Sequence, residues 1–159
     1  MKKILATFAI LLIVVAGIYF TRDFSNGRAT FSFFKKPTIV TIDNHSFNVV
    51  IAKSEKELEI GLSETKSLAQ NQGMIFLFNK LDYYSFWMKD MKFPIDIIFI
   101  NIDHIVTIED NVPIITGQKN PSIYTPTQTA NRVLEIQAGL AKKYNFKIGD
   151  NVKYENLGN

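Results

Sequence analysis

Ile95-Asp96-Ile97-Ile98-Phe99-Ile100-Asn101-Ile102-Asp103-His104-Ile105-Val106-Thr107-Ile108-Glu109 is the stretch that decides the fold. Ile95–Ile100 is β-branched or aromatic and apolar at every position except Asp96. A run this short and apolar on both faces predicts a strand that is central in its sheet. Asn101 to His104 supplies turn residues, and Ile105–Glu109 returns as the partner strand of a hairpin.

Upstream of this hairpin, Tyr84–Met88 and Gly73–Phe78 read as further strands, the second with Met74, Phe76 and Phe78 on one face. Ser54-Glu55-Lys56-Glu57 has the form of a capping box, with Ser54 as N-cap and Glu57 three residues on. It predicts a short helix closed by Gly61. Thr38–Asp43 and Ser46–Ala52 read as two strands about a tight turn at Asp43-Asn44. Downstream, Pro113, Gly117, Pro121 and Pro126 mark a loop over 111–131, roughly 20 residues, a length that suggests function or mobility. Val133–Gln137 then reads as a strand, Leu140–Tyr144 as a short helix, and Lys147–Asp150 as a turn into a last strand near Val152. The expected fold is mainly β, or α+β: a compact antiparallel sheet or barrel with two short helices.

Lys2 and Lys3 precede a run without charge from Ile4 to Phe20. Seventeen residues of helix reach roughly 25 Å, the short end of a membrane span. A secretory signal with a weak cleavage site at Val14-Val15-Ala16 is the other reading, but the apolar run continues to Phe20. Three parts follow: residues 1–20 as a membrane anchor, a transmembrane helix or signal segment; 21–37 as a juxtamembrane linker; 38–159 as one globular β-rich domain. The expected location is the cytoplasmic membrane, single-pass, with the domain extracytoplasmic, or secreted if the segment is cleaved.

The formal net charge is +3, yet residues 1–36 hold Lys2, Lys3, Arg22, Arg28, Lys35 and Lys36 against Asp23 alone. The rest of the chain is net negative, so the basic balance belongs to the membrane flank and argues against a nucleic-acid partner. There are no cysteines, which excludes disulfides, thiol catalysis and cysteine-based zinc sites. His45 and His104 sit at expected turns without a second ligand at metal spacing, so no metal is expected. Gly-rich phosphate loops are missing, and no cofactor is expected.

The residues with chemical potential lie between Phe86 and Asp96 and in the late strand. In an extended 85–91 segment, Ser85, Trp87, Lys89 and Met91 share a face, which sets the only Trp beside a Lys. Asp96 shares its face with Ile98 and Ile100, where an ionised carboxylate requires a partner; Lys89, Lys92 and Arg132 are the candidates. Glu135 lies within Val133-Leu134-Glu135-Ile136 and raises the same question. Asp96 and Glu135, with Lys89, are candidate catalytic groups if their pKa values separate. Trp87, Lys89, Asp96 and Glu135 are candidate ligand contacts, Trp87 as a flat platform. The structural alternative to each is plain: Asp96 bonding backbone, Glu135 pointing to water, Trp87 buried in the core.

In these same stretches the chain resembles the family called domain of unknown function 192. The resemblance is carried by Gly73-Met74-Ile75-Phe76-Leu77-Phe78, Phe86-Trp87-Met88-Lys89-Asp90 and Pro94-Ile95-Asp96-Ile97-Ile98-Phe99-Ile100, followed by Val133-Leu134-Glu135, Ala138-Gly139 and Ile148-Gly149-Asp150. It covers roughly residues 38–155 and implies a small β-rich domain, often behind a signal or anchor, with no established reaction. This chain departs from the family at Ile60, where the family usually has Arg before the Gly-Leu that matches Gly61-Leu62.

Three functions are compatible with these features. The first is a membrane-tethered ligand-binding or accessory module of the cell envelope, taking a glycan or an extended peptide. The second is a hydrolase or lyase using Asp96 and Glu135 on an envelope glycan, which requires the carboxylates roughly 5–9 Å apart across a cleft. The third is an assembly factor that binds another envelope protein through a sheet edge.

Overall fold

Ile95–Asn101 forms β5, which is hydrogen-bonded on both sides and buried along six of its seven residues, so it has no polar face to present. The computed structural model describes residues 36–114 and 122–158. The run 4–20 and nearly all of the 21–37 linker lie outside the described residues. No helix among the described residues is long and apolar enough to cross a membrane.

The elements in order are β1 (Thr38–Ile42), β2 (His45–Ala52), α1 (Glu55–Ile60), β3 (Gln72–Asp82), β4 (Phe86–Trp87), β5, β6 (His104–Val112), β7 (Ile123–Tyr124), β8 (Ala130–Gln137), α2 (Leu140–Lys143) and β9 (Val152–Glu155). Seven strands form one sheet in the order β6-β5-β8-β3-β2-β1-β9, and β4 pairs with β7 in a separate ribbon. The sheet curls into a half-barrel. Its edge strands β6 and β9 meet at one end, where Val152 N donates to Asp103 O (2.7 Å) and Gly149 N to Ile105 O (2.8 Å).

The expected antiparallel sheet is corrected at one place: β2 and β3 are parallel. A parallel neighbour requires the chain to return to the same end of the sheet, and α1 with the loop after it provides that crossover. The capping box forms as expected: Ser54 N donates to Glu57 Oε2 (2.9 Å) and Glu57 N to Ser54 Oγ (3.3 Å). The Ser54 and Lys53 N–H groups, both donating to Glu57 Oε2, hold the Glu57 carboxyl down at about 2. Gly61 closes the helix at φ 51°, with Phe76 3.3 Å from where a Cβ would sit. A side chain there would be strained by backbone and crowded by the ring. The expected strand 84–88 is reduced to Phe86–Trp87, because Asp90 takes a left-handed conformation (φ 59°) and turns the chain. Part of the expected 111–131 loop is strand: Asn111 and Val112 end β6, and Ile123–Tyr124 form β7.

Period-two alternation splits the core between the two faces of the sheet. The concave face collects Ile42, Phe47, Ile75, Ile98, Leu134 and Val152 with their neighbours, from all seven strands, and α2 packs Leu140 and Ala141 into it. The convex face carries Phe76, Ile97, Phe99 and Val133, covered by α1 and by the 84–93 segment.

Candidate functional site

The pairing register decides which candidate residues meet. Glu135 is paired with Met74 on β3 and Ile97 on β5, so all three side chains stand on the convex face. Asp96 pairs with Ile136 and stands on the concave face with Ile98 and Leu134. The two carboxylates are therefore separated by the sheet itself. The two-carboxylate hydrolase requires both groups across one cleft, and this register rules that arrangement out.

Asp96 is fully buried and its partners are backbone. Its Oδ1 accepts from Asn111 N (2.7 Å) and Gly139 N (2.8 Å), and its Oδ2 from Ala141 N (2.7 Å). Gly139 and Ala141 open α2, so one carboxylate satisfies two helix-start donors and fastens the helix to β5 and to the end of β6. Burial pushes the Asp96 carboxyl above its ordinary range, while the three N–H groups pull against that push. The basic partner expected for Asp96 (Lys89, Lys92 or Arg132) is replaced by these amides. Arg132 instead donates to Ile102 O and lies 4.9 Å over the Tyr154 ring.

Glu135 is in the opposite situation. It is 5% exposed, and its Oε2 is buried without a hydrogen-bond partner. Its cross-strand neighbours, Met74 and Ile97, offer no donor. Burial alone pushes its carboxyl up to about 8. The strand carrying it is set close to β3: a Cβ on Gly73 would lie 2.7 Å from Glu135 O. Only glycine permits that approach.

Above Glu135 opens a cleft of about 160 Å³ between the end of α1, β3 and the 84–91 segment. Phe86 anchors the far wall by edge-to-face contacts with Phe76 (4.9 Å) and Phe99 (5.7 Å), and Tyr84 stacks on Phe78 at 3.6 Å. Because Phe86 points inward, Trp87 points outward and is 50% exposed. Lys89 Nζ stands 5.5 Å from its ring centre. Ser85, Trp87, Lys89 and Met91 all line the cleft, although the turn at Asp90 interrupts the extended segment expected to align them. Three of the four candidate contacts thus share one cavity, Trp87, Lys89 and Glu135, while Asp96 is outside it.

Sequence reasoning missed the α1 side of this cleft. Ile60 and Gly61 line it together with Glu135. The departure at Ile60 was the available signal: an apolar residue where the resemblance implies Arg leaves Lys89 as the only basic residue in the lining among the described residues, against Glu59 and Glu135. Among the described residues no group of three or more His, Cys, Asp or Glu is placed to hold a metal ion.

This curled, mostly β domain with a cleft on its convex face belongs to a family shown by its sequence. The chain is a member of the DUF192 family, described as Uncharacterized ACR, matched over residues 38–154. Two solved structures are similar. A protein of unknown function from Novosphingobium aromaticivorans is 32% identical, with 74% of this chain and 83% of that chain covered at a TM-score of 0.65. A candidate transcription regulator from Sinorhizobium meliloti is 26% identical, with 76% and 93% covered at a TM-score of 0.66. No curated protein matches the chain.

Proposed function

We propose that this chain is a membrane-tethered binding or accessory module of the cell envelope, and that its ligand enters the cleft above Glu135. The observation that carries the reading is the unpartnered Glu135 Oε2 beneath a cleft lined by Trp87 and Lys89. A buried polar atom without a partner is rare in a folded protein and expensive to keep. A donor in the cleft, met by a turn of the Glu135 side chain, removes that expense, so the same atom that weakens the free protein favours the bound one. The tether is argued from the uncharged run Ile4–Phe20 behind Lys2 and Lys3.

The chain has one Trp, at the cleft, so its fluorescence reports the site without labelling. Titrating the full chain with envelope glycan fragments and with short extended peptides should change Trp87 emission saturably for one class. Emission that follows neither class, up to millimolar concentrations, ends the binding reading. For the tether, the full chain should sediment with membranes and resist alkaline wash; recovery in the soluble fraction would remove that part.

A further inference from the structure

We propose that the cleft takes a single guanidinium cation on an apolar stem, the arginine side chain of an extended peptide, with Glu135 as acceptor and Trp87 as the flat wall. The inference rests on the cleft being the binding site and adds the class of ligand.

Size, charge and shape each point to this class. A cavity of about 150 Å³ lined by apolar groups holds one benzene-sized molecule, and this cleft measures about 160 Å³. Its interior therefore admits one side chain, and the rest of a longer ligand lies outside it. Its lining includes the apolar Leu58, Phe76, Phe78 and Met91, which suits a methylene stem. Glu135 lines it with a carboxyl that is 5% exposed and whose Oε2 is buried without a partner, so a turn of the side chain brings an unsatisfied acceptor to the ligand. A guanidinium is more weakly hydrated than an ammonium, and it both pairs with a carboxylate and stacks on an aromatic face. The Trp87 face already receives a cation, Lys89 Nζ at 5.5 Å. An arriving guanidinium takes that place, and the flexible, exposed Lys89 moves to solvent.

A peptide is favoured over a free amidine by the surface at the mouth. Trp87 pairs with Ile123 across β4 and β7, so their side chains share a face. They are 50% and 65% exposed, and Tyr83 beside the cleft is 55% exposed. Apolar area outside the cavity gives a free amidine nothing, and gives the flanking residues of a peptide a place to lie.

Binding a cation requires the Glu135 proton to leave, so affinity should follow pH. The groups facing the cleft besides Glu135 are Glu59 from α1 and Tyr84 and Lys89 from the 84–91 segment. With the Glu135 carboxyl held at about 8, affinity should rise about tenfold between pH 7 and pH 9.

The test is a calorimetric titration of the full chain at pH 7 and pH 9, with Trp87 emission read in parallel. The probes are an arginine-centred tripeptide, the same tripeptide with citrulline, benzamidine, and benzyl alcohol as an uncharged ring. The expected result is arginine over citrulline by at least about tenfold, one charge-assisted contact, with the rise toward pH 9 lost in Glu135→Gln and kept in Glu59→Gln and Lys89→Met. Equal binding of arginine and citrulline peptides overturns the proposal, because charge is then not read. Benzamidine binding without the arginine peptide overturns the peptide source. Benzyl alcohol alone binding overturns the cation and leaves the cleft as a site. No response to any probe overturns this proposal, and the glycan titration above then decides the cleft reading by itself. The citrulline and pH comparisons use the unaltered chain, so they decide the matter even if Glu135→Gln fails to fold.

Discussion

Asp96 and Glu135 sit on adjacent strands, both buried, and the sheet has put them in opposite surroundings. On the concave face Asp96 meets three backbone N–H groups at 2.7–2.8 Å and ties α2, β5 and the end of β6 into one unit. On the convex face Glu135 meets Met74 and Ile97 and is left with an unpartnered oxygen beneath an open cleft. Burial raises both carboxyls, so burial alone does not separate a structural carboxylate from a functional one. The count of donors does. A carboxylate met by three amides is already occupied, and one flanked by Met74 and Ile97 with a bare oxygen is the acceptor proposed for the ligand.

The comparison breaks most easily at Asp96. Replacing Asp96 by Asn puts an amide N–H₂ against one of the three backbone donors and should lower stability by about 3 kcal/mol, read from urea unfolding. A loss below about 1 kcal/mol would show that the amides have other acceptors and that Asp96 is not the fastening.

Glu135 should behave with the opposite sign. Its folded pKa of about 8 lies above the ordinary value of 4.5. Between those values the folded chain keeps a proton that the unfolded chain releases, so this contribution is whole below pH 4.5 and is lost as the pH rises toward 8. Glu135→Gln removes the slope. Relative to the unaltered chain it should gain roughly 3 kcal/mol on going from pH 5 to pH 8. Parallel stability curves for the two proteins across that range would mean that Glu135 is already ionised in the fold.

The smallest effect on stability sharpens the contrast with function. Trp87 is half exposed, so Trp87→Ala should change stability by less than about 1 kcal/mol while weakening the arginine peptide about tenfold. Calorimetry replaces fluorescence for this variant. Unchanged affinity would remove Trp87 from the site.

Much of the architecture is legible because its signals are local. The hairpin of β5 and β6, the alternation of Met74, Phe76 and Phe78, and the Ser54–Glu57 capping box appear where their residues predict them. The family motifs around Trp87 and Glu135 also supply residues that line the cleft. The parallel pairing of β2 and β3 is not legible, because nothing in either strand encodes which end the crossover returns to. The Ile60 side of the cleft is hidden for a similar reason, being 75 positions from Glu135 in the chain and in the same cavity in space.

What the sequence by itself determined is the strands of the main sheet, the helix starts and the presence of two carboxylates inside apolar strands. Period-two patterning and capping act over a few residues, so a short window contains the whole cause. Only the tertiary structure decided the fate of each carboxylate. Solvation of a buried charge depends on which donors arrive from distant parts of the chain, and the donors that reach Asp96 come from Asn111, Gly139 and Ala141. None reaches Glu135 Oε2, because sheet pairing turns its side chain toward the opposite face.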